Sequence, residues 1–185
     1  MAFLAALWLP IVVSAVIVFV ASSIMHMVLP YHRNDYSQLP EEDKIRAVLR
    51  AANLKRGLYV FPYCTHENMK SPALQEKYKE GPVGFMNIMP SGPPVMPKFM
   101  AQWFVFCLVI SFFTAYLTWH ALGPGANYLV VFRIAGCAAF MAYGLARLSD
   151  GIWRGQLWSS VMKEVFDGLV YGLLTAGAFG WLWPR

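Results

Sequence analysis

His26 and His32 bracket a short apolar stretch, HMVLPYH, and Cys64 and His66 form a Cys-x-His pair. Imidazole and thiolate are the ligand types that hold zinc, copper or iron, so His26, His32, Cys64 and His66 form a candidate metal set. Their spacing is not that of a structural zinc site, which brings paired Cys-x-x-Cys or closely spaced histidines. The competing expectation is structural: His32, Arg33 and Asp35, within YHRNDY, fix the exit of a helix from the membrane through hydrogen bonds and tyrosine anchoring. No apolar span carries a histidine at its core to ligate haem, and the sequence calls for no cofactor.

A second constellation joins Arg147, Lys163, Glu164 and Asp167. Glu164 and Asp167 share a helix face, and Lys163 reaches Asp167 at i, i+4. The first expectation is a structural ion-pair cluster with Arg147 across a helical hairpin. A proton or cation site is the alternative, because carboxylates inside apolar helices are expensive and often functional. A third set, Cys107, Ser111, Thr114 and Thr118, lies on one helix face. Such hydroxyls line a substrate path or bond back to their own helix, and the absence of a charged partner favours back-bonding. No phosphate-cradling glycine loop, Gly-x-Ser-x-Gly elbow or His-Glu-x-x-His pair occurs.

The elements that must position these groups follow from composition. The chain is 58% hydrophobic and 14% charged, with seven tryptophans. Water-soluble domains carry about 25% charged residues, so much of this surface is expected to face lipid. The net charge of +5 is interleaved with acids, which argues against nucleic acid as a partner. Residues 1–32 carry no formal charge and contain a first span longer than the ~20 residues a bilayer requires, with Pro10 as a candidate kink. The absence of a basic leader and the length of the apolar run argue for a retained span over a cleaved signal peptide, although Ala21-Ser22-Ser23 supplies small residues.

Residues 33–98 hold ten Lys/Arg, seven Asp/Glu and most of the prolines. Within them, residues 40–53 read as an amphipathic helix, with Pro40 at its first position and Ile45, Val48, Leu49 and Ala52 as its apolar stripe. Leu58–Tyr63 and Val83–Met89 read as extended pieces able to pair. Ser71-Pro72 starts a second helix and Gly81-Pro82 stops it. Residues 99–185 contain three further spans, at about 99–122, 128–148 and 165–183. The expected fold class is an all-α integral membrane protein. It has four transmembrane helices and a small mixed α/extended cytoplasmic insertion between the first and second.

Charge placement sets the orientation. The 33–98 segment and the 149–163 loop are basic, while the N-terminal end and the 123–127 turn carry no Lys or Arg. Positive residues favour the cytoplasmic side, so both termini are expected on the non-cytoplasmic face of a cell membrane of the bacterial inner-membrane type. Gly168, Gly172, Ala176 and Gly180 recur every fourth residue, as do Ala138, Ala142 and Ala146. Small residues at this spacing permit close helix packing, either as a hairpin of the last two spans or against another subunit. The function expected first is that of a non-catalytic accessory, scaffold or assembly subunit, with a membrane-protein partner or a homo-oligomer. A small oligomeric transporter or channel comes second, and a membrane-bound enzyme or metal protein third.

Overall fold

The computed structural model describes residues 2–185. The chain divides into two compact units, one made of residues up to Asp35 together with Val95–Arg185, the other of Tyr36–Pro94.

The first unit is a bundle of four long helices. α1 spans Ala2–Ser23, α4 Met96–Leu122, α5 Tyr128–Tyr143 and α7 Trp158–Trp181. α1 packs on α4 and α7, and α5 on α4 and α7, which closes a four-membered ring. The turn between α4 and α5 makes them antiparallel neighbours, and two core layers record an up-down order for all four helices. Leu7, Ile11, Ala115, Val131, Ala135, Phe179 and Trp183 form one layer. Ala15, Val18, Met25, Cys107, Ile110, Ala139, Tyr143 and Tyr171 form the other. Three segments are long and apolar enough to cross a membrane: Phe3–Val28, Met96–Leu122 and Tyr128–Trp153. α7 is outside that set, because Lys163, Glu164 and Asp167 fall in its first three turns.

Pro10 does not interrupt α1. Its side chain is fully buried, and Ser14 Oγ donates to the Pro10 carbonyl at 2.7 Å. Two segments depart from expectation. α5 ends at Tyr143, five residues early, and the chain continues through a 3-10 turn at Leu145–Arg147 into α6, Leu148–Trp153. α7 begins at Trp158, seven residues before the apolar run, so most of the expected 149–163 loop is helical. Hydropathy marks where a helix enters apolar surroundings and is silent about its polar first turns.

The break after Tyr143 lies where α7 approaches α5 most closely. A Cβ placed on Gly168 would stand 2.3 Å from Gly144 Cα, so α7 meets the α5 backbone directly there. Gly172 packs on Phe140 and Gly136, Ala176 on Gly136, and Gly180 against the Tyr128 ring. The face that α5 turns to α7 therefore runs through Gly136, Phe140 and Gly144. Ala138, Ala142 and Ala146 lie two residues on from that row, about 200° around a helix of 3.6 residues per turn; Ala142 and Ala146 are exposed and Ala138 is half-buried.

The second unit holds α2, Glu42–Ala51, and α3, Pro72–Glu80, with strands β1, Gly57–Phe61, and β2, Gly84–Ile88. The strands pair antiparallel from Gly57 opposite Ile88 to Phe61 opposite Gly84. Ser71 caps α3 by accepting from Leu74 N–H, and Gly81 ends it at φ 62°. α2 starts two residues after Pro40, because Glu41 adopts a left-handed conformation at φ 50°. None of the α2 residues is buried, and its stripe at Ile45 and Val48 is exposed.

Candidate metal centre

The site begins with the way α1 ends. Pro30 has no N–H to continue a helical ladder and pushes Leu29 into extended backbone; Leu29 has ψ 138°. Before it, Ile24–Val28 widens into a π turn, closed by Leu29 N–H donating to the Ile24 carbonyl at 3.1 Å. After it, Pro30–His32 makes a 3-10 turn with proline at its first position. The two distorted turns stack the rings of His26 and His32, with centroids 4.3 Å apart and planes 16° from parallel. Single π turns inside helices recur at functional sites.

α7 supplies the facing groups. Ser160, Lys163 and Asp167 stand at i, i+3 and i+7, which is one helix face. Ser160 Oγ donates to Asp35 Oδ1 at 3.0 Å, and Lys163 Nζ donates to the same oxygen at 2.7 Å. His32 bridges two carboxylates: its Nδ1 is 2.5 Å from Asp35 Oδ2 and its Nε2 is 2.8 Å from Asp167 Oδ2. Tyr31 O–H donates to Asp167 Oδ1. His26 Nδ1–H donates to the Ser22 carbonyl at 3.1 Å, which turns its Nε2 toward Asp167 Oδ2, 3.6 Å away.

The charges in this cluster set one another's protonation. Burial favours a neutral His32, but Asp35 and Asp167 on either side outweigh it and raise the ring above its usual 6.5. Burial also opposes ionisation of Asp35. Lys163, His32 and Ser160 reverse that and hold its carboxyl down at about 2. The Tyr31 hydroxyl is pushed up, first by burial and then by its bond to Asp167.

His26 Nε2, His32 Nε2 and an Asp167 carboxylate oxygen all lie within 4.8 Å of one another. Ligand atoms about 2.0–2.1 Å from a tetrahedral zinc stand about 3.3 Å from one another, so the three must adjust from 2.8 Å between His32 and Asp167 and 3.6 Å between His26 and Asp167 to bind an ion. His26 has the freedom to do so, since half of its side chain is exposed and one hydrogen bond holds it. The outer groups fit a metal site. Metal-bound histidines characteristically donate their other N–H to a carboxylate or a carbonyl, and ligating carboxylates are themselves hydrogen-bonded. His32 has Asp35, His26 has the Ser22 carbonyl, and Asp167 has Tyr31. A bound dication would take the place of the His32 Nε2 proton.

The four-residue set of Cys64, His66, His26 and His32 divides between the two units. Cys64 and His66 belong to Tyr36–Pro94, where Cys64 is half-buried and His66 exposed. Asp167 completes the cluster in the bundle. The Arg147, Lys163, Glu164 and Asp167 constellation likewise separates. Arg147 Nε lies 3.2 Å from Glu164 Oε2, and Gln156 donates to Glu164 Oε1 at 3.2 Å. Lys163 turns to Asp35 in place of Asp167. Two hydroxyls of α4 are bonded inward: Ser111 Oγ lies 3.0 Å from Ser14 Oγ, which accepts from it, and Thr118 donates to the Thr114 carbonyl at 2.7 Å. Ser160 is the site residue that pattern reading leaves out, whereas Asp35 and the tyrosine of YHRNDY enter it as hydrogen-bonding groups at the helix exit. The usable signal was the expected common side of the α1 exit and the α7 entry, with a carboxylate in the latter.

No protein-family model matches this chain, and neither a curated protein nor a solved structure is similar to it.

Proposed function

We propose that the chain is a four-span membrane metalloprotein. His26, His32 and Asp167 hold a divalent first-row transition-metal ion at the cytoplasmic end of the bundle. The observation that carries this reading is the convergence of three ligand atoms whose outer partners are already those of a metal site. Two imidazoles and one carboxylate leave coordination positions open, a pattern associated with catalytic zinc or non-haem iron more than with closed structural sites. Of the features that favour an accessory subunit or a transporter, the glycine row of α7 and the Ser111 and Thr118 hydroxyls of α4 are engaged inside the bundle, whereas Ala142, Ala146 and the Pro-rich insertion are not.

Four spans are supported by the dimensions and packing of α7. Its 24 residues make a helix of about 36 Å at ~1.5 Å per residue, against a hydrocarbon core of about 30 Å. It lines both core layers beside α1 and α5. Four spans with both termini outside also put Arg147, Arg154, Lys163 and the basic 36–94 insertion on the cytoplasmic side.

The test is a metal titration of the full chain, purified in mild detergent and stripped with a chelator. Zn2+, Fe2+ and Mn2+ are added separately and bound metal is counted by mass spectrometry. One ion per chain is expected, with affinity at least about 100-fold lower in Asp167→Asn and His32→Gln, both near-isosteric. Failure to bind any of the three ions, or equal binding by both variants, overturns the reading.

A further inference from the structure

Beside the proposed metal centre, a cleft of about 310 Å³ opens between α1, α4, α5 and α7. His26 and Asp167 form part of its wall, while His32 is not among the residues that line it. An ion held by all three therefore has His32 behind it and the cleft in front. Half of the His26 side chain is exposed, so this flank of the site is open. Two imidazoles and one carboxylate leave a position free in a four-coordinate shell, and the cleft is the space on that side.

The other polar groups of the wall are engaged with one another. Arg147 pairs with Glu164 at 3.2 Å, and Trp103 Nε1–H donates to Ser22 Oγ at 2.7 Å. The hydroxyls of Tyr143 and Tyr171 are sealed inside the bundle. That leaves the ion to receive a substrate's polar head. Met27, Met96, Met100 and Trp103 supply thioethers and an indole, which conform to an alkyl body. Their order along the helices fits an amphiphile. Met27 and Met96 are 69% and 54% exposed and stand at the ends of two segments long and apolar enough to cross a membrane, Phe3–Val28 and Met96–Leu122. His26 belongs to the same end of the first segment. Trp103 lies further into the second, about 10 Å from Met96 at ~1.5 Å per residue. A head group at the level of the metal thus leaves its chain running inward past Met100 to Trp103.

We propose that the cleft is the substrate channel of the metal centre and admits a long-chain amphiphile with a metal-binding oxygen head. The head oxygen takes the open position on the ion, and the chain lies against Met100 and Trp103. The proposal rests on the metal reading above. Its test uses the full chain in mild detergent, loaded with Co2+ in place of Zn2+, because the visible bands of Co2+ change with its ligand shell. Acetohydroxamate and octanohydroxamate are the probes, alike in head and different in chain, and both should shift the bands of the wild type. Met100→Trp narrows the cleft and leaves the three ligands in place. It should weaken octanohydroxamate at least about ten-fold, the worth of roughly two buried methylenes, and change acetohydroxamate less than about two-fold. Comparing each probe between the two proteins cancels its partition into the micelle. If Met100→Trp fails to fold, Met96→Trp, at the exposed mouth, must show the same split. Bound Co2+ whose bands ignore the probes, or a substitution that weakens both probes alike or neither, overturns the proposal and leaves the metal reading standing. A chain that binds no Co2+ overturns the metal reading and this proposal with it.

Discussion

His32 sits between two carboxylates, and that placement dictates how the bundle answers to pH. Its raised pKa means that its contribution to stability is complete below 6.5 and is lost as pH rises through the folded value. Asp35 works in the opposite sense. Its contribution is complete above 3.8 and is lost as pH falls toward about 2. Metal-free protein should therefore owe most to this network between about pH 4 and 6.5. Thermal melting of the wild type and of Asp35→Asn across pH 4–9 checks this. The gap in melting temperature should be widest in that window and narrow above it, and a constant gap would refute the network. Asp35 also orients His32, so Asp35→Asn should weaken metal binding by about 10–100-fold without abolishing it. The pairing of His32 with Asp167, 135 positions apart, was within reach of pattern reading through topology alone. The expected four-span arrangement puts the end of the first span and the start of the last on one side, and in the bundle the end of α1 and the start of α7 meet. The local i, i+4 rule pointed Lys163 at Asp167 and so misdirected the partner. Asp35 won Lys163 because it also had Ser160 and His32 to share.

At the scale of elements, α5 and α7 meet through Gly136, Gly144, Gly168, Gly172 and Ala176, and the alanine row of α5 lies off the contact. Gly168→Ala forces a Cβ onto the Gly144 backbone at 2.3 Å, where no side chain can give way. The expected loss is about 1–3 kcal/mol or more, read as a lower midpoint in detergent denaturation. Ala142→Leu, on the exposed face of α5, should stay within about 0.5 kcal/mol. A larger cost for Ala142 than for Gly168 would reverse the assignment of faces. The repeat of small residues was visible in both helices, but periodicity does not choose between two rows on one helix. Gly136 and Gly144 decide it, because glycine lets backbones approach more closely than alanine does. Turn chemistry was more legible. Ser71-Pro72 and Gly81 mark α3 by mechanisms that act within a few residues, and the two extended pieces flank it as β1 and β2. The π turn at Ile24–Val28 has no such mark beyond Pro30, which ends a helix without saying how its last turn is wound.

At the scale of the molecule, the proposed orientation places Cys64 on the cytoplasmic side and the Gly123–Asn127 turn outside. Substituting Cys107 and Cys137 by alanine leaves Cys64 as the single thiol. A membrane-impermeant maleimide should then label it in inverted vesicles and spare it in intact cells. The reverse pattern would turn the bundle over and put the metal centre on the other face. The function of the bundle turns on which ligands gather at the end of α1. X-ray absorption at the edge of the bound metal, in the full chain loaded with one equivalent of Zn2+, reads those ligands directly. Two imidazole nitrogens and oxygen ligands at about 2.0–2.2 Å, without sulfur, are predicted, with one imidazole lost in His26→Ala. A sulfur ligand at about 2.3 Å would shift the site to Cys64, and an all-oxygen shell would contradict a centre built on His26, His32 and Asp167.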